Sequence, residues 1–208
     1  IDADPSTAPL SVPLLSNDAA GGALAVTDVL GPQAPVGSKV RLSSGAIVEH
    51  RPGGVLVYDP NQQFEDLAEG FNSRQEATDW FTFTISDGQG GVATSVAIIT
   101  ILGVNDAPVA MPDAAAGTEN QAVIADVLAN DTDVDQGDDR STFLLRDVTI
   151  SRIEGITATA AQTSRAFIED NKAVFLPGND FNSLSLGETA AAFIGYTMSD
   201  AHGARSSS

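Results

Sequence analysis

The chain has 208 residues, enough for one or two domains. Hydrophobic residues make up 42 %, so it can bury a core and is not a disordered acidic tail. Ten Lys and Arg against 28 Asp and Glu leave a formal charge of −18, which argues against nucleic acid or an anionic membrane as a direct partner. The absence of Cys excludes disulfides and thiolate metal sites.

From the start, Ile1-Asp2-Ala3-Asp4 has neither the basic residues nor the apolar run of a signal peptide. The chain begins without Met and reads as an excerpt or a processed protein. "VTDVL" (Val26–Leu30), "KVRL" (Lys39–Leu42), "AIVEH" (Ala46–His50) and "VLVYD" (Val55–Asp59) are short strand-like runs with Gly or Pro between them. "FEDLAEGF" (Phe64–Phe71) has the pattern of a single helical turn. "DWFTFTIS" (Asp79–Ser86) alternates, with Phe81, Phe83 and Ile85 on one face and Trp80, Thr82 and Thr84 on the other. "SVAIITIL" (Ser95–Leu102) is a β-branched strand, and its apolar run is far too short to span a bilayer. After "GVNDAP" (Gly103–Pro108), "FLLRDVTI" (Phe143–Ile150), "ITATAA" (Ile156–Ala161), "AFIED" (Ala166–Asp170), "AVFLP" (Ala173–Pro177) and "FIGYTMSD" (Phe193–Asp200) repeat the β signal.

The chain repeats itself. "SVPLLSND" (Ser11–Asp18) matches "IADVLAND" (Ile124–Asp131), and "FTFTISDGQGG" (Phe81–Gly91) matches "IGYTMSDAHGA" (Ile194–Ala204), both at an offset of 113 residues. Between them, "YDPNQQFEDLAEG" (Tyr58–Gly70) matches "FLPGNDFNSLSLGE" (Phe175–Glu188). Three blocks in one order mean two copies of a domain of roughly 105 residues. The hinge lies in "GVNDAP", giving domains at residues 1–106 and 107–208. Seven short strands per copy predict an all-β chain of two tandem Greek-key, cadherin/Ig-like β-sandwiches. Where copy one continues "VATSVAIITILG", copy two offers "RSSS", so most of its final strand is expected to be missing, with an exposed edge along Phe193–Asp200.

The combination of "LLSND", "TDWFTFTISDGQGG" and "GVNDAP" resembles the bacterial cadherin-like repeat, close kin to the VCBS repeat of large secreted adhesins, over nearly the whole chain. Two-domain cadherin-like lectins of the rhizobial Rap adhesin group are similar in size and acidity. The resemblance implies a secreted, cell-surface-associated protein, commonly exported by type I secretion.

"NDTDVDQGDD" (Asn130–Asp139) places Asp131, Asp133 and Asp135 at alternate positions. On an extended loop, alternate side chains point the same way, and the three carboxylates would repel one another. A hard divalent cation offsets that repulsion, and calcium takes six to eight oxygens in loose geometry. The spacing is not that of an EF-hand, because Thr142 stands where the bidentate Glu belongs. The ordinary reading of such Asp and Asn residues is as solvated turns and caps. From the resemblance, Asn105 and Asp106 of the linker, Glu119 in the opening strand of copy two, Asp200, and Asp87 as its counterpart in copy one are further candidate calcium ligands. Copy one reads "AAGG" after "SND" and lacks the acidic run, so it binds no ion or only one shared at the linker.

No enzyme is expected. The two His, His50 and His202, lie near no nucleophile motif, and no HExxH, P-loop or helix-opening G-x-G-x-x-G occurs. Trp80 and its counterpart Phe193 fall on the outward face of their strands and are candidate platforms for a sugar ring. The resulting expectation is a monomeric, calcium-dependent lectin pair that binds an acidic extracellular polysaccharide in biofilm or surface adhesion. The alternative is a calcium-rigidified structural spacer of a large adhesin.

Overall fold

The computed structural model describes residues 9–12, 15, 18, 23–31, 34–68, 75–156 and 162–208. The predicted strand at Ile156–Ala161 lies almost wholly outside them. Among the described residues the chain is all-β and no helix is long and apolar enough to cross a membrane. The Phe64–Ala68 stretch is a turn, not a helical one. The chain divides into two compact units, Ile1–Asn105 and Asp106–Ser208.

Unit one contains β1 (Leu10–Val12), β2 (Ala25–Val29), β3 (Lys39–Arg41), β4 (Ile47–Arg51), β5 (Val55–Asp59), β6 (Glu76–Ser86) and β7 (Val92–Leu102). They form one sheet in the order β1-β5-β4-β3 and a second in the order β2-β6-β7. All pairings are antiparallel. The alternation in β6 does what its pattern dictates. Phe81 and Phe83 are buried, whereas Trp80 stands out of the sheet. Across from them, Ala97, Ile99 and Ile101 of β7 turn inward and join Val29, Val48, Leu56 and Tyr58 in the core. Gly103, the first residue of "GVNDAP", closes this unit. Its amide donates to Gln75 O, and a side chain there would collide with the Leu67 carbonyl. The close backbone approach explains why Gly opens that motif.

Unit two contains β8 (Val123–Ala125), β9 (Leu144–Glu154), β10 (Arg165–Glu169), β11 (Lys172–Leu176), β12 (Ala191–Ser199) and β13 (Arg205–Ser207). Its sheets run β8-β11-β10 and β9-β12-β13, the same order as β1-β5-β4 and β2-β6-β7. The β10–β11 hairpin turns on Asp170 and Asn171, both at positive φ, the backbone that a two-residue type I′ turn demands. The core is Val127, Leu128, Phe143, Leu145, Val148, Tyr196 and Met198. β13 pairs Arg205 with Ser199 and Ser207 with Thr197, as Val92 pairs with Ser86 and Thr94 with Thr84 in unit one. It spans three residues where β7 spans eleven.

Glu119 does not lie in an opening strand. It sits in a turn ahead of β8, because the first paired strand of this copy starts only at Val123.

Candidate metal centre

One end of unit two gathers the loop between β8 and β9 and the turn that follows β12. There Asp133, Asp138 and Asp200 each bring a carboxylate oxygen within 4.8 Å of the others. Asp138 and Asp200 are buried, at 7 % and 1 % exposure. Asp135 joins them from the same loop at 3 % exposure.

The hydrogen bonds of this group leave oxygens over. Asp133 Oδ1 accepts from the Asp135 amide at 3.0 Å, while Asp133 Oδ2 is buried and has no hydrogen-bond partner. Asp135 Oδ2 accepts from the Asp106 amide at 2.7 Å, while Asp135 Oδ1 is likewise buried and unpartnered. Asp138 Oδ1 accepts from the Thr142 hydroxyl at 3.1 Å and the Ala201 amide at 3.3 Å. Its Oδ2 lies 3.1 Å from His202 Nδ1. Asp200 Oδ1 accepts from the amides of His202, Gly203 and Ala204, which folds "SDAHGA" into its turn.

Burial in this acidic surrounding costs the charged form. It pushes Asp135 up to about 6, with the charges of Asp133, Asp106 and Asp138 adding to it. Burial also raises Asp133, and Asp138 and Asp200 reinforce the shift. A lone buried carboxylate that lacks a partner is a liability. Here Asp133 and Asp135 each leave one such oxygen over, beside the hydrogen-bonded carboxylates of Asp138 and Asp200, a set that suits a hard cation held by oxygen.

The alternating trio does not converge as a trio. The backbone is extended only as far as Asp133, where Thr132 bridges to Val109; it then bends and turns through Val134–Gly137. Alternation orients side chains only while the chain stays extended. That bend parts Asp135 from the other two, whereas Asp131 is held in the interior by its own partners, accepting from the Met111 amide at 2.7 Å and the Tyr196 hydroxyl at 2.9 Å. The turn at Gly137, with φ of 102°, brings Asp138 back to Asp133. Asp138 was within the acidic run but off the alternation, so the pattern did not single it out.

The remaining candidates fall elsewhere. Asp106 contributes its amide and its charge to Asp135. Asn105 is the last residue of unit one and is half-buried. Glu119 Oε1 accepts from Asn120 Nδ2 at 3.3 Å, within its own turn. Asp87 Oδ1 accepts from the amides of Gln89 and Gly91 at 2.8 and 2.9 Å, a turn built like that of Asp200. Trp80 is 60 % exposed on β6, opposite Ile98 of β7. Phe193 is 37 % exposed, and the Arg152 guanidinium lies 3.7 Å from its ring centroid. Of the two outward aromatics, one face is open and the other is capped.

A family model described as a bacterial Ig domain matches residues 2–100 and again residues 105–208. The chain belongs to the bacterial Ig-domain family. No curated protein matches it at a significant level. The two Ig domains share strand order but not the acidic end. At the 113-residue offset, Ala20, Gly22 and Ala25 stand in the first domain where Asp133, Asp135 and Asp138 stand in the second. Asp87 keeps its turn, and among the described residues the one such cluster of carboxylates lies in the second Ig domain.

Proposed function

We propose that the chain is an extracellular adhesion module whose second Ig domain binds one calcium ion through Asp133, Asp138 and Asp200, with Asp135 as a fourth carboxylate. Ig domains of this bacterial family are typical of extracellular and surface proteins. The observation that carries the calcium reading is the pair of buried, unpartnered oxygens, Asp133 Oδ2 and Asp135 Oδ1, beside two further buried carboxylates. Calcium is favoured over magnesium because the donors come from a loop and a turn, a loose arrangement that tolerates six to eight ligands.

The ion's role in this reading is structural. Asp138 and Asp200 are almost fully covered, which favours an ion enclosed by protein over one that takes a sugar hydroxyl. Recognition of an acidic extracellular polysaccharide in biofilm then rests on Trp80, whose exposed indole presents a rigid apolar face at low entropic cost. The spacer reading keeps the ion and dispenses with the sugar, and the capped ring of Phe193 favours it.

Calorimetric titration of the chelator-stripped chain with calcium, and with magnesium as a control, tests the site. One calcium per chain is expected, lost in Asp133→Asn and Asp138→Asn. The reading fails if the melting temperature is identical in calcium and EDTA. Binding of acidic polysaccharide by the wild type but not by Trp80→Ala separates a lectin from a spacer.

A further inference from the structure

We propose that the outer face of the β9-β12-β13 sheet holds a carboxylate site for a uronic-acid residue of an acidic glycan, built on Arg146 and Arg205. Tyr196 and Met198 of β12 point into the core, so Thr197 and Ser199 point outward. Ser199 is nevertheless 0 % exposed. The Arg146 side chain lies over it, with Nε donating to Ser199 Oγ at 2.7 Å. Arg205 of β13 stands opposite Ser199 in the register. Two arginines thus flank one serine, one on each neighbouring strand.

The fold does not require them. β12 pairs Thr197 with Asp147 and Met198 with Leu145, which makes Arg146 the extra residue of a β-bulge, a device that re-aims a side chain. The first Ig domain has its bulge at the matching place, between Val26 and Asp28, and there the extra residue is Thr27. Its Ser86 pairs with Val92 as Ser199 pairs with Arg205. Bulge and serine are therefore common to both domains, and the two cations belong to the second.

Arg140 and Arg152 of the same unit each hold a carboxylate, whereas neither Arg146 nor Arg205 is in an ion pair among the described residues. Residues 157–161, the part of this unit outside the described set, carry no charge. Two neighbouring cations repel, and an anion between them offsets that repulsion. A guanidinium fork matches a carboxylate bidentately. In a chain of net charge −18, such a pair is where an anionic ligand approaches at least cost. The rest of the face suits a sugar ring. The Thr197 and Ser207 hydroxyls lie 3.1 Å apart, Gly195 adds no side chain, and Thr149 stands opposite it. Leu144, 43 % exposed and opposite Ser199, offers an apolar contact to the C–H face of the ring. Asp147, across from Thr197, is the carboxylate on this face and turns the anionic end of the sugar towards Arg205. The site rests on the acidic-glycan reading for its ligand and leaves Trp80 as a separate contact.

Titration of the isotope-labelled chain with glucuronate, followed by amide chemical shifts in EDTA so that calcium cannot bridge protein and sugar, tests the proposal. The amides of Ser199 and Arg205–Ser207 should shift saturably. Glucose should leave them in place, and acetate, which lacks the ring, should bind more weakly. Arg146→Gln and Arg205→Gln should each weaken glucuronate by about tenfold or more, the scale of a lost hydrogen bond to a charged group. Arg165→Gln removes the same charge from the other sheet and should leave the affinity unchanged, as should Trp80→Ala. Unmoved amides overturn the proposal. So do glucose or acetate binding as tightly as glucuronate, or an equal loss in Arg165→Gln. Polysaccharide retained through Trp80 without a glucuronate shift at Ser199 removes this site and keeps the adhesion reading. Glucuronate shifts at Ser199 without polysaccharide retention keep this site and remove the other.

Discussion

The Tyr196 hydroxyl lies 2.9 Å from Asp131 Oδ1 and 3.1 Å from Oδ2, and Asp131 is 7 % exposed. Asp131 thereby links β12 to the loop that precedes β9, and the phenol makes it part of the packed interior. Asp133, two residues on, has one oxygen without any partner. Neighbours of one chemical type in one acidic run thus have opposite roles. Asp131→Ala should destabilise the second Ig domain by ~1–3 kcal/mol, because it leaves the Met111 amide without its acceptor, while the Tyr196 hydroxyl keeps only the Met111 carbonyl. Asp133→Asn should do the reverse in EDTA and raise stability slightly, since it removes a charge that burial and its neighbours disfavour. Chemical denaturation of both variants in EDTA reads the difference; matching losses would give the two residues the same role.

Calcium should stabilise the second domain selectively. At a hundredfold excess over Kd, a ligand of the native state contributes about 2.7 kcal/mol. For a domain near 100 residues, that raises the melting temperature by about 10–20 °C at ~4–8 °C per kcal/mol. The shift should vanish in Asp138→Asn. Hydrogen exchange resolved by peptide should place the added protection in Asp131–Asp138 and Asp200–Ala204 and leave Phe81–Gly91 unchanged. Calcium-induced protection at Asp87 would mean that the first domain carries a site too.

The strands were legible because one residue type per face is enough to declare a half-buried sheet. Val55–Asp59 and the buried Phe81 and Phe83 follow directly from local sequence. The repeat carried the strand order as well, since blocks at one offset fold alike. The acidic centre was only half legible. Alternation points to Asp131 and Asp133 equally, and what separates them is a hydroxyl 65 residues away on β12. The return of Asp138 depends on a turn at Gly137, which interrupts the period the pattern relies on. The capping of Phe193 by Arg152 was hidden for the same reason, as the two are brought together only by the β9–β12 register, which pairs them.

Acid should unfold the second domain partly through Asp180. Its carboxylate accepts from the Ser164 hydroxyl and amide at 2.6 and 2.8 Å and from the Thr163 amide and hydroxyl. These bonds, the Ser164 hydroxyl foremost, hold Asp180 well below the usual carboxylate range. The folded state therefore binds fewer protons than the unfolded state once pH drops to the unfolded value near 3.9. The stability contributed is complete above that value and is lost as pH falls towards the depressed folded one. Asp180→Asn should flatten the acid limb of a stability–pH curve below about pH 4. An acid limb as steep as the wild type's would assign it to other carboxylates.

The two outward aromatics allow a last comparison. Trp80 stands 60 % exposed, with Ile98 across from it, so its removal should change stability by no more than ~0.5 kcal/mol, the range of ordinary surface substitutions. Phe193 carries the Arg152 guanidinium over its ring, and such a contact contributes ~0.5–1 kcal/mol at exposed sites. Phe193→Ala should therefore cost more in stability than Trp80→Ala, although Phe193 is the smaller ring. Binding should rank the other way. Any polysaccharide retained by the wild type should be lost with Trp80→Ala and kept with Phe193→Ala, because an indole open to solvent can accept a sugar ring and a ring already covered by a guanidinium cannot. Arg152→Ala uncovers Phe193 and should add a second, weaker platform, seen as increased retention on an immobilised acidic polysaccharide. Equal retention by all three variants would remove the aromatics from the binding surface and leave the module as a spacer.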